Sequence, residues 1–335
     1  MRTSPRSRSL AAVVAPLLVL AACGGEPAVT APEPDESTAG ESPSPTATPI
    51  DAAYVEVDPG PVGVAAGDGA VWVVSAEEET VSRIPSGARQ PDLTVDVPGV
   101  PLRVAVTDGA AWVTSFDGEE VLRIDAVTGK VTDRIPTGAG PEGITAGLGS
   151  VWVVAQDAGQ LLRIDPASRT VVDRIEIGVG ARLVITGEEA VWVASFGDDT
   201  LLRVDPGSGD VTASGEICTG PQGMAIAAGL VWTACTFSDQ VVGVDPDTLE
   251  VVTEVAVAGN PDSLALSPAG SLLAIPEAGP AVVTIDPASG EVLDERLLGE
   301  AAPLNDRANL DATVLGDEVW VTSHSLGRVY HLPAD

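Results

Sequence analysis

Pro141 to Gly178 reads PEGITAGLGSVWVVAQDAGQLLRIDPASRTVVDRIEIG, and its pattern recurs along the chain at one fixed interval. Trp72, Trp112, Trp152, Trp192 and Trp232 stand forty residues apart, each inside the same phrase: VWVVS, AWVTS, VWVVA, VWVAS or VWTAC. So regular a period marks a solenoid or a radial array. Each copy splits into four short runs rich in Val, Ile and Thr, parted by Gly, Asp and Pro, which predicts four strands. No run carries a helical period.

Copies begin at Pro61, Pro101, Pro141, Ala181, Pro221 and Pro261; a seventh, from about Ala301, is stretched by eight residues, so that its tryptophan is Trp320. Four-stranded units of this length bury both faces only by stacking, and radial closure of such sheets makes a propeller. The seventh copy offers three runs (ATVLG, EVWVTS, RVYHL), and Tyr54–Asp58 (YVEVD) supplies the fourth, which leaves no free sheet edge at the seam. The expected fold is all-β: a seven-bladed β-propeller of four-stranded antiparallel blades, closed by an N-terminal strand in the last blade. The tryptophans then pack blade against blade, and Leu272 takes their place in copy six. Asp125, Asp165, Asp205, Asp245 and Asp286 recur where a turn opens, where a carboxylate accepts the following amides.

Arg2, Arg6 and Arg8 precede an apolar stretch from Leu10 to Leu20, which ends in Leu20-Ala21-Ala22-Cys23. Such a segment is a secretory signal, too short to span a bilayer. The Leu-Ala-Ala-Cys run resembles a bacterial lipobox, which implies that Cys23 is lipidated and becomes the first mature residue. The expected organisation is a lipoprotein signal peptide over 1–22, the lipidated cysteine with a disordered Pro/Ser/Thr/Glu linker over 23–50, and the propeller over 51–335. This places the chain at the cell membrane, lipid-anchored on the extracytoplasmic face. Cys218 ends an outer strand and Cys235 the next Trp strand, at loops that open on one rim, so they are expected to form a disulfide.

A formal charge of −32 repels phosphate backbones and anionic lipid, which argues against nucleic acid as a partner and leaves the anchor as the one membrane contact. The rim above the Trp strands holds all three phenylalanines, Phe116, Phe196 and Phe237, with His324 in the place equivalent to Phe116. The mouths of the inner strands carry Val62, Leu102, Glu142, Arg182, Gln222, Asp262 and Leu310, with Arg103 and Asp311 one step further. Phe116, Phe196, Phe237, Arg103, Arg182, Glu142, Asp262, Asp311 and His324 form the expected ligand site for a small molecule or a protein or peptide partner on this top face. A monomer is expected. No cofactor is: Ca²⁺ wants six to eight converging oxygens, and the loop carboxylates are spread singly round the ring.

Two histidines and the absence of a nucleophile elbow, a metal-binding His pair or a phosphate loop give catalysis little footing. His331 replaces the recurrent strand arginine (Arg83, Arg123, Arg163, Arg203) and is read as structural. The repeat is similar to the surface-layer YVTN-type propeller and to the streptogramin-lyase-like propellers, over residues 51–335. The shared elements are Pro-x-Gly-Ile/Met, the Trp run and Arg-Ile-Asp-Pro. The lyase resemblance implies elimination at a cyclic depsipeptide lactone with Mg²⁺ and a histidine base. Those lyases typically read Trp-Phe-Thr-Glu; here Ser75, Ser115, Ala155, Ser195 and Cys235 take the glutamate place. Quinoprotein repeats are matched only at Asp125–Val131, without their outer-strand tryptophan. The expected function is therefore a membrane-anchored extracytoplasmic propeller that binds a ligand or partner without chemistry of its own. The alternative is a divergent streptogramin-lyase-like carbon–oxygen lyase, or a hydrolytic enzyme, using His324 with a nearby carboxylate.

Overall fold

A computed structural model of the chain describes residues 48–278, 281–298 and 311–335. The leader, Cys23 and Leu310 lie outside the described residues. Seven antiparallel sheets follow one another, over 61–96, 101–136, 141–176, 181–213, 221–256, 261–297 and the C-terminal strands Ala312–Leu315, Glu318–Ser323 and Arg328–Pro333. Strand Ala53–Glu56 pairs antiparallel with Arg328–Pro333 and completes blade seven, with Tyr54 opposite Tyr330. The fold is the expected seven-bladed propeller.

Each Trp strand is the middle of a sheet that is covered on both faces, and the six tryptophans are at most 1% exposed. The strand arginine lies directly opposite in the ladder, with its guanidinium over the indole: 5.6 Å for Arg123 on Trp112, 5.5 Å for Arg163 on Trp152, 6.0 Å for Arg203 on Trp192. Arg163 also donates to the Pro206 carbonyl of the next blade at 3.1 Å, so one residue both covers its own tryptophan and joins neighbouring sheets. In blade seven His331 takes this place, stacked on Trp320 with centroids 4.7 Å apart.

At the axis the inner strands alternate. Gly63, Gly143 and Gly223 in blades one, three and five face the backbone of the following blade. A side-chain carbon on Gly63 would fall 2.3 Å from the Leu102 carbonyl oxygen, and one on Gly143 2.3 Å from that of Arg182. Arg103, Leu183 and Ser263 hold the matching place in blades two, four and six, and Asp311 holds it in blade seven. The Asp311 carboxylate ties the seam: it accepts the Val64 amide of blade one at 3.0 Å and the Ser263 hydroxyl of blade six at 3.0 Å. Thr48–Pro49, in the stretch assigned from sequence to the linker, run parallel to the outer strand Val292–Leu297 of blade six. Ile50 and Ala52 then pack on the core shared by blades six and seven.

Cys218 and Cys235 form the expected disulfide, with Cα atoms 5.9 Å apart. In two sibling blades a serine at the Cys235 position reaches the same connector, Ser75 to the Asp58 carbonyl at 2.9 Å and Ser115 to the Pro98 carbonyl at 2.7 Å. Blade five thus makes covalent a joint that its siblings make with a hydrogen bond. Replacing both cysteines by serine should keep the fold and lower the unfolding free energy by about 3 kcal/mol, the chain-entropy value for so short a loop. Denaturant melts of the two proteins check this.

Candidate active site

Two rings of positions crown the end at which the inner strands begin. The residue after the first position of each inner strand gives Val62, Leu102, Glu142, Arg182, Gln222 and Asp262; the residue after each Trp strand gives Ala76, Phe116, Gln156, Phe196, Thr236, Glu277 and His324. Rim and mouth are pinned together by the backbone, as in Gln156 N–H to Gly140 O at 2.8 Å and Glu277 N–H to Asn260 O at 2.9 Å. The cavities at this end are each lined from three blades.

Arg182 organises one half of it. Its Nε and Nη2 donate to the Glu142 carboxylate at 3.0 and 2.7 Å, and Nη1 donates to the Gln222 side-chain oxygen. Burial works against its charge, but the Glu142 carboxylate outweighs this and holds Arg182 as a cation. The guanidinium lies 4.8 Å over the Phe196 ring, which meets Phe237 edge-on at 5.5 Å. A cavity of about 400 Å³ is lined by Leu102, Arg103, Phe116, Glu142, Gln156, Arg182 and Phe196 among others. A second, of about 280 Å³, is lined by Arg182, Phe196, Gln222, Thr236, Phe237, Asp262 and Glu277. Phe237 is 56% exposed at its lip.

Asp262 is the unusual group. It is 1% exposed, and neither carboxylate oxygen has a hydrogen-bond partner among the described residues. Burial first, and then the negative charge of Glu277, push its pKa up to about 8, against the partial opposition of Arg103 and Arg182. Arg103 and Asp311 stand lower, in a channel cavity of about 310 Å³, with Arg103 Nε 4.0 Å from Asp311 Oδ2. Arg103 spends its Nη1 on the Leu102 carbonyl at 3.1 Å, so it braces the mouth.

The structure thus gathers Phe116, Phe196, Arg103, Arg182 and Glu142 around one cavity, and Phe196, Phe237, Arg182 and Asp262 around another. His324 sits apart from these cavities, on the single turn His324–Leu326, with Nε2 3.8 Å from Glu77 Oε1 of blade one. His331 is structural, as read: its ring lies between Glu318 at 3.1 Å and Arg89 at 2.9 Å. Glu277 was missed. Copy six carries one extra residue, so Pro276 pairs where Cys235 does in copy five, and Glu277 falls in the place of Phe116. Among the described residues no three His, Cys, Asp or Glu side chains converge as a metal cage. The described residues do not fit the Mg²⁺ that the lyase resemblance implies.

No protein-family model matches the chain, and no curated protein matches it by sequence. Solved structures match the fold. A streptogramin B lyase superposes with a TM-score of 0.72 at 17% identity, covering 83% of this chain and 95% of its own. A catalytically inactive histidine-to-alanine variant of virginiamycin B lyase from Staphylococcus aureus, with quinupristin, gives 0.70 at 17% identity, over 84% and 98%. Hydrazine synthase of Kuenenia stuttgartiensis gives 0.66 at 14% identity, over 88% and 99%. The likeness is one of fold, a seven-bladed ring related to the lyases, and each of these structures is an enzyme. It counts against the expectation of a binding protein without chemistry and favours the lyase-like alternative. That expectation rested on the scarcity of histidines and the absence of catalytic motifs. A carboxyl whose pKa is moved by burial shows only once the blades are assembled.

A carboxyl with a raised native pKa binds its proton in the folded chain after the unfolded chain has lost it. Its contribution to stability is therefore full below about pH 4 and fades as the pH climbs toward about 8. Asp262→Asn should flatten that decline and melt higher than the parent at pH 8. Melting curves across this range test the assignment.

Proposed function

We propose that the protein is a propeller enzyme that breaks a carbon–oxygen bond by elimination on this top face, in a substrate with an acidic C–H next to a carbonyl, such as a cyclic lactone. The observation that carries the reading is Asp262, a buried carboxyl in the cavity lining with neither oxygen hydrogen-bonded among the described residues and a pKa of about 8. A base works best when its pKa lies near the working pH, and here Glu277 and the dry surroundings raise the basicity of an ordinary aspartate. The fold shared with two lyases supports the reaction class.

In its ionised form Asp262 takes the proton from carbon. The C–H electron pair becomes the new double bond, the C–O bond breaks with its pair on oxygen, and that oxygen recovers the proton from Asp262. Water is not consumed. Arg182 lies on the wall of the same cavity as Asp262, already oriented by Glu142 and Gln222, and its positive charge opposes the negative charge that builds on the carbonyl oxygen. The Cys218–Cys235 bond supports an oxidising compartment and so an exported protein, in keeping with the leader expected over residues 1–22.

Incubation with quinupristin, followed by mass spectrometry, reads the chemistry directly. Elimination opens the ring with no change of mass, and the rate should rise with pH toward about 8. Asp262→Asn should cost roughly 10²-fold or more, the usual share of a positioned base. A product heavier by one water, or no product, overturns the elimination. Loss of turnover in His324→Ala with Asp262→Asn unimpaired moves the base to His324 and its neighbour Glu77.

A further inference from the structure

In three blades a loop side chain covers the glycine that ends the connector before the inner strand. A side-chain carbon on Gly60 would meet Glu77 Cγ at 2.6 Å, one on Gly140 would meet Asp157 Cγ at 2.9 Å, and one on Gly220 would meet Phe237 Cδ2 at 3.0 Å. Blade four breaks the rule: Gly197 holds the covering position, and a side-chain carbon on Gly180 would meet only the Gly197 backbone, with its Cα at 3.3 Å. A seat that siblings fill with Glu, Asp or Phe is empty there, and it opens into the cavity of about 400 Å³.

Phe116 and Phe196 line this cavity, two blades apart on the rim, with Gln156 between them. The Gln156 side-chain oxygen is buried and has no hydrogen-bond partner among the described residues. An orphaned buried acceptor is costly unless a ligand supplies the donor. We propose that this cavity is a subsite for a planar aromatic group with an N–H or O–H on its edge. The ring takes the seat vacated at Gly197, packs against Phe116 and Phe196, and donates to Gln156. The assignment goes beyond the proton chemistry at Asp262 and is read by binding without turnover, so either can fail alone.

Indole and benzofuran share a shape, and only indole has the N–H donor, which makes them the probes. NMR titration of the full chain should show indole bound roughly threefold to tenfold more tightly than benzofuran, the ratio that one net hydrogen bond gives. Gln156→Leu should erase that preference. Gly197→Phe restores the residue that blade five already uses, at a position without left-handed backbone, so it should melt like the parent. It should weaken both probes at least tenfold. Indole binding that survives Gly197→Phe in a protein of unchanged melting temperature overturns the subsite. An indole preference retained by Gln156→Leu overturns the donor contact.

Discussion

Seven sheets share an axis only if the last is made to meet the first, and the structure rests on that junction. Val55, from the strand that precedes blade one in sequence, is buried with Val329 and Trp320 of blade seven and Val71 and Val73 of blade one. Strand pairing closes the outer wall, and the Asp311 carboxylate closes the inner one by holding blades one and six at once. An open ring would expose two hydrophobic blade faces and would let the crown spread. Arg182 would then lose its fixed distance to Glu142 of blade three and Gln222 of blade five.

The crown is built by a division of labour along each repeat. Positions that face a neighbouring blade keep Trp, Val and Ile, because two sheets must interdigitate there at the density of a crystal. Positions that face the axis meet no such demand and vary from blade to blade, so chemistry collects there. Arg182 pairs with Glu142, Arg103 with the mouth carbonyls, and Asp311 with Val64 and Ser263 across the seam. Asp262 and Gln156 stand out against this background as buried polar groups still wanting a partner. In a chain so acidic, a carboxyl kept dry beside Glu277 is a local storage of proton affinity.

The fold was legible because the repeat is nearly exact: a tryptophan every forty residues, with Gly and Asp at each turn, leaves few alternatives to stacked four-stranded sheets. The disulfide was legible for the same reason, since loop positions in a propeller follow from strand order. The rim residues Phe116, Phe196 and Arg182 could be named, but not their pairing, which depends on residues forty positions away in either direction. Glu277 was hidden by a shift of one residue in copy six, which the ladder of Pro261 with Pro276 makes plain. Asp262 was named as a mouth residue, while its burial was not foreseen, because dryness belongs to the assembled ring and to no single repeat.

The alternation at the axis carries an arithmetic of its own. A glycine in blades one, three and five admits the backbone of blades two, four and six, so the inner strands couple two by two. An odd ring cannot be tiled by couples. Blade seven is the remainder, and the mismatch surfaces where Ser263 and Asp311, both with side chains, become neighbours and settle it with a hydrogen bond. Parity thus selects where the circle is sewn: the unpaired blade is the one made from both ends of the ring. An eight-bladed descendant of this chain would have no such odd member, and would have to find another place for its seam.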